Sequence, residues 1–124
     1  MPYNKKVMEH FINPRNVGEM ESPDGTGKAS NDVDGDMVII RIKVKDGKIT
    51  EAKHQVFGCA AAIAGSSAYS EMIIGKDVDE ALMISRQDVA DYLGGLPEGK
   101  IDCSILGPDA LRKAVDDYHR GKEQ

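Results

Sequence analysis

The chain has 124 residues, which is the usual size of one domain, so a single domain spanning residues 1–124 is expected rather than a multidomain enzyme. Hydrophobic residues make up 40% of the sequence and charged residues 30%, a balance typical of globular proteins and not of disordered ones. The formal net charge is −5 and no tract concentrates Lys or Arg, so nucleic-acid binding has little support.

The hydropathy pattern argues against a membrane protein. The longest strongly apolar run, residues 37–40, is far shorter than the roughly 20 residues that a membrane-spanning helix needs. The N-terminus carries no apolar core of a secretory signal. We therefore expect a cytoplasmic protein without a membrane partner, in which Cys59 and Cys103 are thiols or metal ligands rather than a structural disulfide.

The first third of the chain predicts one helix and a long loop. Residues 4–11 form a short helix with Val7, Met8 and Phe11 on one side, and residues 13–18 end it. Residues 19–31 are rich in Gly, Ser, Pro and Asp, which predicts an exposed loop. A third strand ahead of Val38 would help a sheet that is marginal with two strands, but no pattern places one there.

A β-hairpin is the clearest prediction in the sequence. One set of alternate positions over residues 38–45 is wholly apolar and the other is Ile39 followed by three basic residues, which is the period of a half-buried strand. Asp46 and Gly47 are typical of a tight hairpin turn, and residues 48–57 return as the antiparallel second strand. The hairpin leads directly to Gly58 and Cys59.

The remaining chain predicts helices. A helix begins directly behind Cys59 and ends near Gly75. Two short helices follow: Asp77 and Glu80 have the spacing of a capping box for the first, and Ser85 and Asp88 have that spacing for the second, which ends at Gly94 and Gly95.

The last predicted helix has Pro108 in its first turn and Gly121 beyond its end. One of its faces is formed by Ala110, Leu111, Ala114, Val115 and Tyr118. Because the strands precede the run of helices instead of alternating with them, the order predicts an α+β fold with a small antiparallel β-sheet packed against a layer of helices.

Two cysteines and three carboxylates are the residues most suited to chemistry. Both Cys59 and Cys103 precede predicted helices, where the helix dipole favours a thiolate. A lone cysteine in this position is most often a small buried hydrophobe, but two in the same setting suggest a shared role. Asp34 and Asp36 precede the first hairpin strand and Asp102 precedes Cys103, although acidic residues are also ordinary turn formers.

No standard enzyme motif is present. The sequence has no phosphate-binding glycine loop, no Gly-x-Ser-x-Gly elbow and no His-Glu-x-x-His pair. His10, His54 and His119 are separate in sequence, and no third group suggests itself to orient a cysteine–histidine pair. His54 is interpreted as an ordinary sheet residue.

Three stretches resemble the IscU / NifU N-terminal domain family of iron–sulfur cluster assembly scaffold proteins. They are residues 6–18 (KVMEHFINPRNVG), 56–67 (VFGCAAAIAGSS) and 101–106 (IDCSIL), and the resemblance covers nearly the whole chain. It implies a non-enzymatic α+β scaffold on which a cluster, usually [2Fe–2S], is built from iron and sulfur. The implied partners are a cysteine desulfurase, which supplies the sulfur, and recipient apoproteins, which accept the cluster.

The resemblance also implies a ligand set. The family has three cysteines, a histidine beside the last of them and an aspartate two residues after the first. Cys59, Cys103 and Asp36 match this pattern, whereas Asp34 stands at the first cysteine and Asp102 at the histidine. The implied cluster ligands are therefore Asp34, Cys59, Asp102 and Cys103, with Asp36 as a further metal ligand and with Cys103 or Cys59 as the sulfur acceptor.

Oxygen ligands in place of sulfur and nitrogen change the expected behaviour of the site. Carboxylate is a harder donor than thiolate, so a cluster held by two of each is expected to be labile. The alternative is a divergent zinc- or iron-binding interaction module, or a persulfide sulfur carrier, that docks on a cysteine desulfurase with zinc in place of the cluster. The family's chaperone-recognition segment is only partly matched by residues 96–100 (LPEGK), so recruitment of the chaperone is not carried over.

Overall fold

The computed structural model describes residues 3–33, 35–96, 101 and 105–122. Its sheet is antiparallel with the order β1-β2-β3, built from β1 (Gly25–Asn31), β2 (Asp36–Lys45) and β3 (Lys48–Phe57). The helices of the described part are α1 (Lys5–Ile12), α2 (Ala60–Ile73), α3 (Val78–Leu82), α4 (Arg86–Tyr92) and α5 (Gly107–Lys122). The predicted α+β class, a small antiparallel sheet with packed helices, is confirmed.

The predicted hairpin is present with nearly the expected bounds. β2 begins at Asp36, two residues before the predicted start, and β3 has the predicted bounds. Asp46 and Gly47 connect them with φ angles of 54° and 77°, the positive values of a type I′ turn. Val38, Ile40 and Ile42 are buried on one face of β2, as the alternation requires.

The loop predicted over residues 19–31 is wrong in its second half, where the chain forms β1. The inward positions of this strand are Gly25, Gly27 and Ala29, so no alternation of large apolar residues marks it. The glycines are required because a Cβ at Gly27 would overlap the carbonyl oxygen of Ala110, and one at Gly25 would overlap that of Ala114. Helix α5 therefore packs directly on the backbone of β1.

The helix N-termini follow their predicted caps with one exception. Cys59 is the N-cap of α2, as predicted. Ser85 and Asp88 form a complete capping box at α4, with bonds of 3.0 and 2.9 Å. Helix α3 forms where expected, but Asp77 makes no side-chain cap hydrogen bond, so the capping box predicted there is wrong.

Helix α5 begins at Gly107 with Pro108 in its first turn and continues through Lys122, so Gly121 lies inside the helix and not beyond it. Of the predicted face, Ala110, Leu111, Ala114 and Val115 are buried, and Tyr118 is half-buried. Within the described ranges, no helix combines the length and apolar character needed to cross a membrane.

Helix α1 packs on α2, and the segment after it covers the edge of the sheet at β3. The backbone N–H of Gly18 donates to the carbonyl oxygen of His54 at 3.0 Å, and the N–H of His54 donates to that of Asn16 at 2.8 Å. These bonds pair both backbone groups of His54, which would otherwise be unpaired at this edge of the sheet.

Candidate metal centre

Asp36 and Cys59 are brought together by the hairpin. Asp36 is the first residue of β2, and Cys59 follows the last residue of β3 by two positions. Met37 pairs with Phe57, so the start of β2 and the end of β3 lie side by side. The Sγ atom of Cys59 is 3.8 Å from the Oδ2 atom of Asp36.

Gly58 makes room for the carboxylate of Asp36. A Cβ atom at Gly58 would lie 2.8 Å from Oδ1 of Asp36 and 2.9 Å from the Cβ of Ala62. Asp36 is 4% exposed, so its carboxylate has little alternative space. Sequence reasoning did not assign a role to Gly58, although glycine before a candidate ligand is a signal of close approach by a neighbouring group.

The separation of the two side chains fits ligands of one tetrahedral ion. With metal–sulfur and metal–oxygen bonds of about 2.3 and 2.1 Å, two such ligands lie about 3.6 Å apart. The backbone of Cys59 caps α2 while its side chain makes no cap hydrogen bond, so the thiol is not occupied in capping the helix. The positive end of the helix dipole lies at this cysteine and favours negative charge there.

Two donors alone do not complete a metal site. Among the described residues, no three His, Cys, Asp or Glu side chains are grouped closely enough to hold a metal ion. Asp34, Asp102 and Cys103, the other predicted ligands, lie outside the described residues, as do residues 97–100 of the chaperone-like segment. Their convergence with Asp36 and Cys59 stays a prediction.

The chain that follows Cys103 is anchored on α2. Ile105 is 1% exposed, and its side chain lies 3.4 Å from where a Cβ of Gly65 would be. Gly65 is six residues after Cys59, which is roughly 9 Å along a helix axis. Ile105, which is two residues after Cys103 in sequence, therefore packs against the helix that Cys59 caps.

His54 is a buried residue of β3, which confirms the interpretation made from the sequence. Its Nε2 atom lies 2.8 Å from the carbonyl oxygen of Arg15, so this nitrogen is the donor. Its Nδ1 atom has no partner in the described part of the chain. Burial is the main cause that lowers the pKa of His54.

His10 connects α1 to α2 through contacts that sequence reasoning missed. Its Nδ1 atom is 2.7 Å from Oγ of Ser67, and its Nε2 atom is 3.5 Å from Oε1 of Glu71. The order serine, histidine, carboxylate resembles a hydrolase triad, but Ser67 is fully buried and its Oγ accepts the backbone N–H of Arg15 at 2.9 Å. No substrate can reach this hydroxyl, so the network fastens α1 to α2.

Comparisons with known proteins agree with the fold and identify the family. The model of the NifU-like N terminal domain matches residues 2–124. The chain is 56% identical over 118 residues to "Iron-sulfur cluster assembly scaffold protein IscU 1" of Archaeoglobus fulgidus, covering 95% of this chain and 77% of that protein. It is 42% identical over 127 residues to the IscU scaffold protein of Escherichia coli, covering 99% and 98%.

Solved structures give the same assignment. The crystal structure of a nitrogen-fixing NifU-like protein (N-terminal) from Brucella abortus superposes with a TM-score of 0.77 at 26% identity, covering 96% of this chain and 95% of that one. The class of protein defined by these matches is the α+β fold of NifU-like N-terminal domains. The chain belongs to the NifU-like N-terminal domain family, which contains both the IscU and NifU relatives.

Proposed function

We propose that this protein is an iron–sulfur cluster assembly scaffold or carrier that binds a labile [2Fe–2S] cluster and transfers it to recipient proteins. The observation that carries the proposal is the 3.8 Å approach of Cys59 Sγ to Asp36 Oδ2, in a chain whose relatives are named as cluster assembly scaffolds. A scaffold is a non-catalytic role, in agreement with the expectation that the chain is not an enzyme. The whole of residues 1–124 is proposed to act as one domain.

The proposed cluster ligands are Asp34, Cys59, Asp102 and Cys103. Asp36 is a further carboxylate that could bind the metal in place of one of the two other aspartates. The cluster is cargo, so tight binding would oppose its release. Hard carboxylate oxygens bind thiophilic iron less strongly than thiolates do, which favours release. Without a metal, these anionic groups would repel one another in one patch, so a cation that neutralises them would be stabilised there.

The proposed partners follow from the chemistry of the cargo. A cysteine desulfurase supplies sulfur, which Cys103 or Cys59 accepts, and recipient apoproteins take the finished cluster. Cys59 stands at the N-terminus of α2, where the helix dipole favours negative charge. The expectations of a cytoplasmic location, without a nucleic-acid or membrane partner, stay predictions, and recruitment of the specialised chaperone is not proposed.

A zinc- or iron-binding interaction module, or a persulfide carrier, is the second candidate. The same 3.8 Å separation suits two ligands of a single zinc ion, and zinc sites with oxygen and sulfur donors are chemically permissible. In this alternative the protein would dock on the desulfurase without assembling a cluster.

Anaerobic reconstitution separates the two candidates. The protein is incubated with iron, cysteine and a cysteine desulfurase, and its absorption spectrum and metal content are compared for wild type, Asp34→Cys and Cys103→Ser. A scaffold gives a visible charge-transfer band that is strengthened in Asp34→Cys and lost in Cys103→Ser. Bound zinc without a chromophore in wild type, together with colour in Asp34→Cys, would instead favour the interaction module.

A further inference from the structure

Strand β1 leaves an edge of the sheet open. It is an outer strand in the order β1-β2-β3, and the N–H of Thr26 points away from β2 because it donates to Oδ2 of Asp117 at 2.9 Å. In an antiparallel ladder, the backbone N–H and C=O groups of successive residues point alternately toward and away from the neighbouring strand. Those of Lys28 and Ser30 therefore also point away from β2. Both residues are exposed, and in the described part of the chain nothing bonds these backbone groups.

The opposite edge of the same sheet shows the contrast. There, Asn16 and Gly18 bond the backbone groups of His54, and Gly75 and Lys76 bond those of Ile49. At β1, Asp117 caps the N–H of Thr26 and ends the open stretch on one side. An edge with unpaired donors and acceptors is a template for an added strand.

A groove accompanies the open edge. It has a volume of about 410 Å³ and lies between β1 and α5, lined by Ala29, Ser30, Asp109, Arg112, Lys113 and Asp116. Asp109 is already engaged by an ion pair with Arg86. With Asp109 paired, the lining presents two exposed basic residues, Arg112 and Lys113, against one exposed acidic residue, Asp116, so it carries a small excess of positive charge.

The outer face of the sheet adds to this charge. Lys28 lies on the same face of the sheet as Thr26, two residues before it. On that face Thr26 pairs with Arg41 of β2, and Arg41 pairs with Lys53 of β3. A residue placed opposite Lys28 on an added strand would be about 5 Å away, where an acidic side chain attracts and a basic one repels. Addition of a second copy through Lys28 opposite Lys28 would bring like charges together, so a strand of opposite charge fits better.

We propose that β1 and α5 form a docking groove for an extended acidic segment of a partner protein, which adds to the sheet as a fourth strand along residues 28–30. Its backbone pairs with Lys28 and Ser30. Its acidic side chains face Lys28 on the outer side of the sheet and Arg112 and Lys113 in the groove. Ser30 pairs with Met37 and the next residue, Asn31, pairs with Asp36, so the groove ends beside the proposed metal site. The inference rests on the open edge and its charges and not on cluster binding.

The test uses two probes, a hexapeptide of six glutamates, which presents acidic side chains on both faces of an added strand, and a matched hexapeptide of six lysines. Each is titrated into the isotope-labelled full chain, and amide hydrogen exchange and chemical shifts are recorded by NMR. The acidic peptide is expected to slow exchange of the Lys28 and Ser30 amides, while the basic peptide leaves them unchanged. Added salt should weaken the binding because the selecting interaction is electrostatic.

Charge-reversal variants test whether the acidic peptide binds through Lys28 and Arg112. The double variant Lys28→Glu/Arg112→Glu is expected to weaken the acidic peptide about tenfold, since two favourable charge contacts become unfavourable. The matched control Lys45→Glu, an exposed position near the hairpin turn, should bind as wild type does. Equal binding of both peptides, shifts confined to other residues, no binding of the acidic peptide, or pairing of β1 with a second copy would each overturn the proposal.

Discussion

The thiol of Cys59 lies 3.8 Å from the carboxylate of Asp36, although the two residues are 23 positions apart in sequence. Their approach depends on the antiparallel pairing of β2 with β3 and on the missing side chain at Gly58. A carboxylate that is 4% exposed beside a thiol at a helix start is held in place before any metal arrives. The pair is therefore a preformed part of the proposed site.

Removing the space at Gly58 should weaken metal binding. In Gly58→Ala the new methyl group would meet Asp36 at 2.8 Å, so the carboxylate must shift away from its position near Cys59. We expect affinity for Zn²⁺, measured by competition with a chromophoric chelator, to fall about tenfold, the lower range for changes that misorient a ligand.

Gly121→Ala is the control for this experiment, because a Cβ there meets nothing within 4 Å. It should bind Zn²⁺ as wild type does. A Gly58→Ala variant that is folded, by circular dichroism, and keeps wild-type affinity would show that the position of Asp36 is not needed for metal binding.

The packing of α5 on β1 should make Gly27 intolerant of any side chain. A methyl group in Gly27→Ala would overlap the carbonyl oxygen of Ala110, so helix and strand must separate. We expect the free energy of unfolding, from urea titration, to fall by about 2–3 kcal/mol, as for overpacked cores. Unchanged stability in this variant would contradict the close approach of α5 to β1.

Acid should destabilise the protein through its buried histidines. Burial, as the largest cause, lowers the pKa of both His54 and His10; near His10, Arg15 and Lys6 act in the same direction while Glu71 and Glu9 oppose it. A depressed pKa means that the unfolded chain binds the proton more readily, since its histidines titrate near 6.5. The free energy of unfolding is therefore highest above about pH 7 and falls as the pH drops below about 6.5.

Urea titrations at a series of pH values measure this slope. Each unit by which a pKa is depressed contributes about 1.4 kcal/mol of lost stability once the pH is below the folded pKa. His54→Gln, which keeps a donor for the carbonyl of Arg15 but does not titrate, should flatten the slope. A slope that is the same in His54→Gln and wild type would mean that His54 does not contribute to acid destabilisation.

The hairpin was predictable because its information is local. Val38, Ile40 and Ile42 face one side of the strand and alternate with Ile39, Arg41 and Lys43, and Asp46 with Gly47 forms the turn. Strand β1 was not predictable in the same way, because Gly25 and Gly27 are selected by contact with α5, which is about 85 residues later in sequence. Local sequence patterns predict the strands and the turn of a hairpin, but they do not predict contact with a helix that is distant in sequence.

The same distinction between local and long-range information applies to the candidate site. The helix start at Cys59 follows from local composition, and its pairing with Asp36 was expected from the family resemblance alone. The contact of His10 with Ser67 joins residues 57 positions apart and leaves no periodic signal in either segment. The role of Gly58 became visible only from the position of the Asp36 carboxylate.

X-ray absorption at the iron edge of the anaerobically reconstituted protein tests the central claim most directly. A [2Fe–2S] cluster held by two cysteines and two aspartates predicts an iron–iron distance together with a first shell of both sulfur and oxygen. Asp34→Cys should raise the sulfur fraction of that shell. A first shell of oxygen and nitrogen alone, with no iron–iron scattering in either protein, would contradict the assignment as a cluster scaffold.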